Sequence, residues 1–174
     1  VMACQQPEEA VVYPETRYDS ADVKTYFGTD VPDPYGWLED DRSPETAEWV
    51  NAQNAVTQGY LERIPYRATL RDRLTELWNY EKRGAPFVEG DFQYYYRNDG
   101  LQSQSVLYRQ RVVNGEAQGE PEVFLDPNAF SADGTSSLGG LSFSPDGSRA
   151  AYQISVGGSD WRSVVVLDAV TKKV

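Results

Sequence analysis

The chain contains no histidine, and that absence excludes more chemistry than any other feature of its 174 residues. A serine nucleophile ordinarily passes its proton to an imidazole, and imidazole is the commonest side-chain ligand of metals. No Gly-x-Ser-x-Gly elbow occurs either, so these residues by themselves hold no Ser-His-Asp triad. Cys4 is the single cysteine, which rules out an internal disulfide and leaves the redox compartment open. No apolar run approaches the roughly 18 residues of a spanning helix. Basic residues are outnumbered 27 to 16 by acidic ones, and the resulting net charge of -11 repels nucleic acid while favouring solubility. No cofactor and no metal is expected.

The apolar content, 40% hydrophobic and 13% aromatic, suffices for one or two small domains with cores. Residues 1–12 carry no hydrophobic period and read as a flexible lead-in. Within them, Val1-Met2-Ala3-Cys4 matches the end of a bacterial lipoprotein signal. On that reading Cys4 is a lipidation site and the protein belongs to the periplasm or cell envelope. The alternative is an accidental cysteine in a tail, with a cytoplasmic location.

Two helices follow. Ser43 at N-cap, Pro44 at N1 and Glu45 in the first turn mark a helix start. Trp49, Ala52, Val56, Tyr60 and Ile64 then recur at helical spacing as one apolar face. Pro65 ends that helix and begins a second, in which Leu70, Leu74, Leu77 and Trp78 form a stripe backed by Arg67, Arg71, Asp72, Arg73 and Glu76.

The pattern changes near Glu81. Phe92, Tyr94 and Tyr96 alternate along a strand that closes at Asn98-Asp99-Gly100. Val106-Leu107-Tyr108 opens the next, which ends at Val112-Val113-Asn114-Gly115, and Val123-Phe124-Leu125 is a third. A polar, glycine-rich stretch runs from Ser131 to Gly140. The unit then recurs: Gly90 and Gly147, Tyr95 and Tyr152, Gly100 and Gly157, and Leu107 and Val164 are each 57 positions apart. Phe143-Ser144-Pro145-Asp146-Gly147 is a turn into the strand Ala150–Ile154, and Val164–Asp168 is the next. Antiparallel units repeating at roughly 50 residues read as β-propeller blades, with a meandering β-sandwich as the alternative. Two blades do not close a ring, so Lys172-Lys173-Val174 reads as a truncation point within a hairpin.

Asp33-Pro34-Tyr35-Gly36-Trp37-Leu38-Glu39-Asp40 is an ordered, half-buried loop on chemistry alone, since Tyr35, Trp37 and Leu38 are too apolar to leave in water. It also resembles the Asp-Pro-Tyr-x-Trp-Leu-Glu-Asp signature of the prolyl oligopeptidase (prolyl endopeptidase) family of serine peptidases. The resemblance runs on through Glu81. It resumes in Gly100-Leu101-Gln102-Ser103-Gln104-Ser105-Val106-Leu107-Tyr108, in Val123-Phe124-Leu125-Asp126-Pro127-Asn128 and in Gly158-Ser159-Asp160-Trp161. Gly36 departs from many members, where a larger residue stands.

The resemblance implies an α/β-hydrolase domain split around a seven-bladed propeller. Residues 13–80 would be the amino-terminal α-helical segment of the split α/β-hydrolase domain, and residues 81–174 the first two blades of the β-propeller. It also implies cleavage of short peptides after proline, with the propeller excluding folded proteins. The catalytic and proline-pocket residues would lie downstream, so none is assigned in this chain. The implied partners are short proline-containing peptides and the carboxyl-terminal hydrolase domain of the same protein, which would act as a monomer. Oligopeptidase B shares this architecture and cleaves after basic residues; the motif forms here are closer to the prolyl branch. A non-catalytic propeller that binds peptides or proteins is the reading from another functional class, and an envelope-anchored binding protein rests on Cys4 alone.

Asp160 and Trp161 are the candidate site. A carboxylate on a glycine-rich loop between two strands of the second blade could face the hydrolase domain or substrate, pairing with a basic group there. The plainer account is an Asx turn in which Asp160 caps its own backbone. Glu39, Asp40 and Asp41 are too close in sequence for a glycosidase pair. Asp126-Pro127-Asn128 and Asp133-Gly134 fail as a calcium loop, because Phe130 takes a ligand position and no glutamate closes it. Tyr94, Tyr95, Tyr96 and Arg97 suit a packed blade strand better than a base-stacking platform, given the negative charge.

Overall fold

The computed structural model describes residues 10–174, which form two compact units, residues 10–71 and 72–174. Cys4 lies outside the described residues.

The first unit opens with a hairpin absent from the sequence expectations: β1 (Val23–Tyr26) pairs antiparallel with β2 (Thr29–Pro32). Its turn places Phe27 and Gly28 in the left-handed region, at φ 51° and 83°. Glycine carries the second position without strain, whereas Phe27 sits there fully exposed. Asp33–Asp40 is ordered, as expected, with Trp37 and Leu38 half-buried, but Tyr35 is 46% exposed and packs edge-on to Tyr18 at 5.7 Å. Residues Gly36–Glu39 make one 3-10 turn, the indole of Trp37 donates to the Arg17 carbonyl at 3.0 Å, and the Arg17 guanidinium lies 4.8 Å over the same ring.

Helix α1 (Pro44–Glu62) starts where Ser43 and Pro44 place it, although the Ser43 side chain makes no capping bond. The peptide N–H of Ala47 donates to the Ser43 carbonyl at 3.0 Å, so the backbone turn alone sets the start. Along α1, Trp49 reaches Thr16 Oγ1 at 2.9 Å through its indole N–H. Pro65 falls in the turn between the helices, and α2 (Arg67–Trp78), whose residues from Asp72 onward belong to the second unit, begins after it. Leu70, Leu74, Leu77 and Trp78 do form a stripe on α2, yet each remains more than half exposed.

The second unit is two antiparallel sheets with an aromatic core between them. The first contains β3 (Lys82–Arg83), β4 (Phe87–Glu89), β5 (Phe92–Asn98), β6 (Val106–Val113) and β7 (Glu116–Leu125), ordered β3-β5-β6-β7 with β4 also on β5. The second contains β8 (Ser136–Phe143), β9 (Arg149–Val156) and β10 (Arg162–Asp168), ordered β10-β9-β8. Half of the expected glycine-rich connection is therefore strand. Gly139 and Gly140 lie in β8 where its register to β9 shifts, and a side chain at Gly139 would meet Gln153 and Arg162 at 3.0 Å. The two glycines mark a bulge, not a loop.

Tyr94, Leu107, Phe124, Leu125, Ala150, Tyr152, Leu167 and Ala169 are buried together. Tyr94 packs edge-on to Phe124 at 5.0 Å and against Phe143 of the opposite sheet at 4.7 Å. Burying each such ring contributes on the order of 2 kcal/mol, so this core supports the two sheets as one body.

The 57-residue repeat has a physical basis. Gly90 turns β4 into β5 and Gly147 turns β8 into β9, both at positive φ, and the two turns press backbone to backbone. A Cβ on Gly147 would stand on the Gly90 amide and 2.5 Å from its Cα. Polar ties also cross between the sheets. Gln104 donates to the Ser136 carbonyl at 2.8 Å and accepts from the Leu138 N–H at 3.0 Å. Arg109, almost fully buried in β6, donates to the carbonyls of Ala169 and Val170 just beyond β10.

Candidate functional site

The β9–β10 hairpin carries the expected site. Gly157 and Gly158 take left-handed φ of 61° and 76°, which lets the chain reverse above the buried Ser155. The Ser155 hydroxyl donates to the Ser159 carbonyl at 2.7 Å and fixes the base of the loop. The cap belongs to Ser159: its Oγ accepts the Trp161 N–H at 3.1 Å. Asp160 therefore does not serve as the Asx cap of its own turn. Its carboxylate is exposed and enters no hydrogen bond or ion pair among the described residues. Trp161 does not pack behind it either, being 89% exposed. A loop held by two hydrogen bonds thus presents an unpaired carboxylate and, at the next residue, a bare indole.

The other candidates resolve into structure. Glu39 pairs with Lys24 at 3.0 Å, Lys24 also meets Asp33 at 2.6 Å, and these carboxylates raise the lysine's pKa above its ordinary value. Asp126 accepts the Asn128 N–H at 3.0 Å, and Asp133 accepts the N–H and hydroxyl of Thr135, so both are turn residues. Among the described residues no cluster of three or more His, Cys, Asp or Glu is placed to hold a metal. Tyr94 and Tyr95 are buried, and Tyr95 stacks on Tyr108 beneath the Arg83 guanidinium, which leaves neither as a stacking platform.

Two residues with larger roles than their sequence signal are Gln104 and Arg109. Arg109 Nε meets Glu122 at 2.6 Å, and the guanidinium lies 4.2 Å from the Phe92 ring. Arg109, followed by Lys172, holds the Glu122 carboxyl below its usual range. Burial raises the Tyr94 phenol, an effect that the neighbouring Arg109 partly offsets. Arg109 shares the buried face of Leu107, and that shared parity was its only sequence signal.

The family described as "Prolyl oligopeptidase, N-terminal beta-propeller domain" matches residues 14–174. A prolyl endopeptidase of Elizabethkingia miricola is 51% identical over 168 residues, covering 97% of this chain and 23% of the relative. Among solved structures, a prolyl endopeptidase studied for the role of inter-domain dynamics in catalysis and specificity superposes with a TM-score of 0.73 at 33% identity, over 93% of this chain and 23% of that one. Prolyl oligopeptidase B from Galerina marginata, bound to a 35mer hydrolysis and macrocyclization substrate, gives 0.68 at 36% identity, over 91% and 24%. The chain thus spans about a quarter of the length of the relatives it matches.

Proposed function

Since this chain belongs to the prolyl oligopeptidase family, within its N-terminal β-propeller region, we propose that it is the amino-terminal part of a serine-type prolyl endopeptidase that cleaves short peptides after proline. The observation that carries this reading is the 51% identity to a prolyl endopeptidase along 97% of the chain. The missing histidine and nucleophile elbow then assign the triad to the rest of the protein, and the isolated 174 residues are inactive. The two sheets of residues 81–174 are the first two blades of a seven-bladed ring that restricts access. Residues 13–80 are the leading segment of the split α/β-hydrolase domain, and the stripe of α2 supports this, because its apolar residues remain more than half exposed.

The Asp160 loop, on this reading, meets the hydrolase domain or the substrate. A free carboxylate beside an exposed indole suits a basic group, and the pairing would help hold the two domains closed. Cys4 as a lipidation site would place the protein in the cell envelope.

The full-length protein should release the reporter from a blocked glycyl-proline substrate and leave a folded protein uncut. A fluorophosphonate probe should label it outside residues 1–174. Absence of cleavage after proline, or labelling within these residues, would overturn the proposal.

A further inference from the structure

An open groove of about 510 Å³ is lined by Phe87, Glu89, Tyr96, Leu141, Ser142 and Phe143. One of its walls is an open strand edge, since β8 ends its sheet and has no strand on its outer side. Which backbone groups face that side follows from the alternation of antiparallel pairing. Ser142 pairs with Ala151, and the Ser144 N–H donates to the Arg149 carbonyl at 2.9 Å, so the even-numbered residues here turn toward β9. Leu141 and Phe143 therefore turn their N–H and C=O groups outward, into the groove. No hydrogen bond among the described residues takes them.

The same edge is already read by an amide on the other side of the bulge. Gln104 donates to Ser136 O and accepts from Leu138 N, the pair of bonds that the N–H and C=O of one residue on a parallel neighbouring strand would make. Along the groove the rings of Phe87, Tyr96 and Phe143 supply apolar surface, and Glu89 supplies one negative charge that has no ion pair among the described residues.

We propose that this groove binds an extended peptide as an added strand along Leu141–Phe143. Apolar side chains would rest on Phe87 and Tyr96, and an amino terminus or basic side chain would meet Glu89. Main-chain bonds give affinity that tolerates many sequences, and Glu89 selects among them by charge. The inference rests on the reading of the whole protein as a peptidase, because that supplies the occupant.

The test uses the full-length protein and three substrates: a blocked glycyl-proline reporter too short to fill the groove, and a quenched decapeptide with one proline, made with a free and with an acetylated amino terminus. Glu89→Gln should raise KM for the free-amine decapeptide about three- to fivefold, the range of an exposed ion pair, and Glu89→Lys should raise it further. Both variants should leave the reporter unchanged and affect the acetylated decapeptide less. Equal losses on reporter and decapeptide, or no loss with Glu89→Lys, would overturn the proposal. If the wild-type protein cleaves none of these, the peptidase reading fails separately. Fluorescence anisotropy of the two decapeptides, labelled at the carboxyl end, then decides the groove: weaker binding of the free-amine form to Glu89→Lys upholds it, and unchanged binding refutes it.

Discussion

Arg109→Met should loosen the contact between the two sheets more than any single change to the charged residues around it. Methionine keeps most of the aliphatic stem and loses every donor. The side chain is 4% exposed, so each lost bond is felt in the interior. Ala169 is 1% exposed, and its orphaned carbonyl costs about 1–3 kcal/mol. The cation–π contacts, at 4.2 Å to Phe92 and 5.2 Å to Phe124, add about 1–2 kcal/mol. Val170 is 59% exposed, and its carbonyl recovers water at little cost. Relief of the desolvated guanidinium offsets part of the loss. The net effect should be about 2–4 kcal/mol.

Glu122 is the control. Its side chain is 48% exposed and keeps Lys172 at 3.1 Å, so Glu122→Gln should cost under about 1 kcal/mol. The chain forms two compact units, so a local measurement is needed: native-state hydrogen exchange of the β6, β9 and β10 amides. Faster exchange in Arg109→Met with little change in Glu122→Gln is the expected result. If both variants loosen those strands equally, Glu122, through its pairs with Arg109 and Lys172, matters as much as the carbonyl bonds, and the reasoning fails.

Gly147→Ala should destabilise the same region by about 2–4 kcal/mol, because a left-handed φ and a backbone collision with Gly90 add; exchange unchanged from wild type at the two turns would contradict this. The Ser144 hydroxyl, then the N–H and hydroxyl of Ser148, hold the Asp146 carboxyl at about 2, below its ordinary 3.8. The folded-state value is the lower one, so its stabilisation is complete above roughly pH 4 and disappears as pH falls through about 2. Asp146→Asn should flatten that part of the acid-stability curve, and an unchanged slope would refute the assignment. On the proposed peptidase reading, Asp160→Asn in the full-length protein should change peptide turnover and its salt dependence with little loss of stability; kinetics equal to wild type would leave the loop without an interdomain role.

Local signals were legible where local forces decide. Ser43-Pro44 placed the start of α1, and the alternation of Phe92, Tyr94 and Tyr96 placed β5. The β1–β2 hairpin went unread because its four-residue strands are polar and almost wholly exposed, so no apolar alternation marks them. β8 was hidden by glycines that make room for Gln153 and Arg162, a packing demand set by strands that follow it in sequence. Gln104 and Arg109 act across 32 to 61 positions, and nothing in a window around either residue announces such a partner. At the candidate site, the choice between Ser159 and Asp160 as cap depended on side-chain direction within a left-handed turn, which spacing does not encode.

Burial is distributed very unevenly between the two units, and the distribution carries a physical consequence. Every fully buried apolar side chain among the described residues lies between Tyr94 and Ala169, where sheets face each other across aromatic rings. Before Arg71 the one fully buried residue described is Thr46, whose hydroxyl donates to the Trp37 carbonyl at 3.3 Å. A 12-residue helix such as α2 is marginal in water by propensity alone, and most helical stability in proteins comes from covering an apolar face. Leu74 at 64% exposure and Trp78 at 63% leave most of such a face uncovered among the described residues. The sheets already bury a core of their own, so their order does not depend on that cover. The helix buries no such core among the described residues, so covering Leu70, Leu74 and Leu77 would add to its order although their spacing is that of a core.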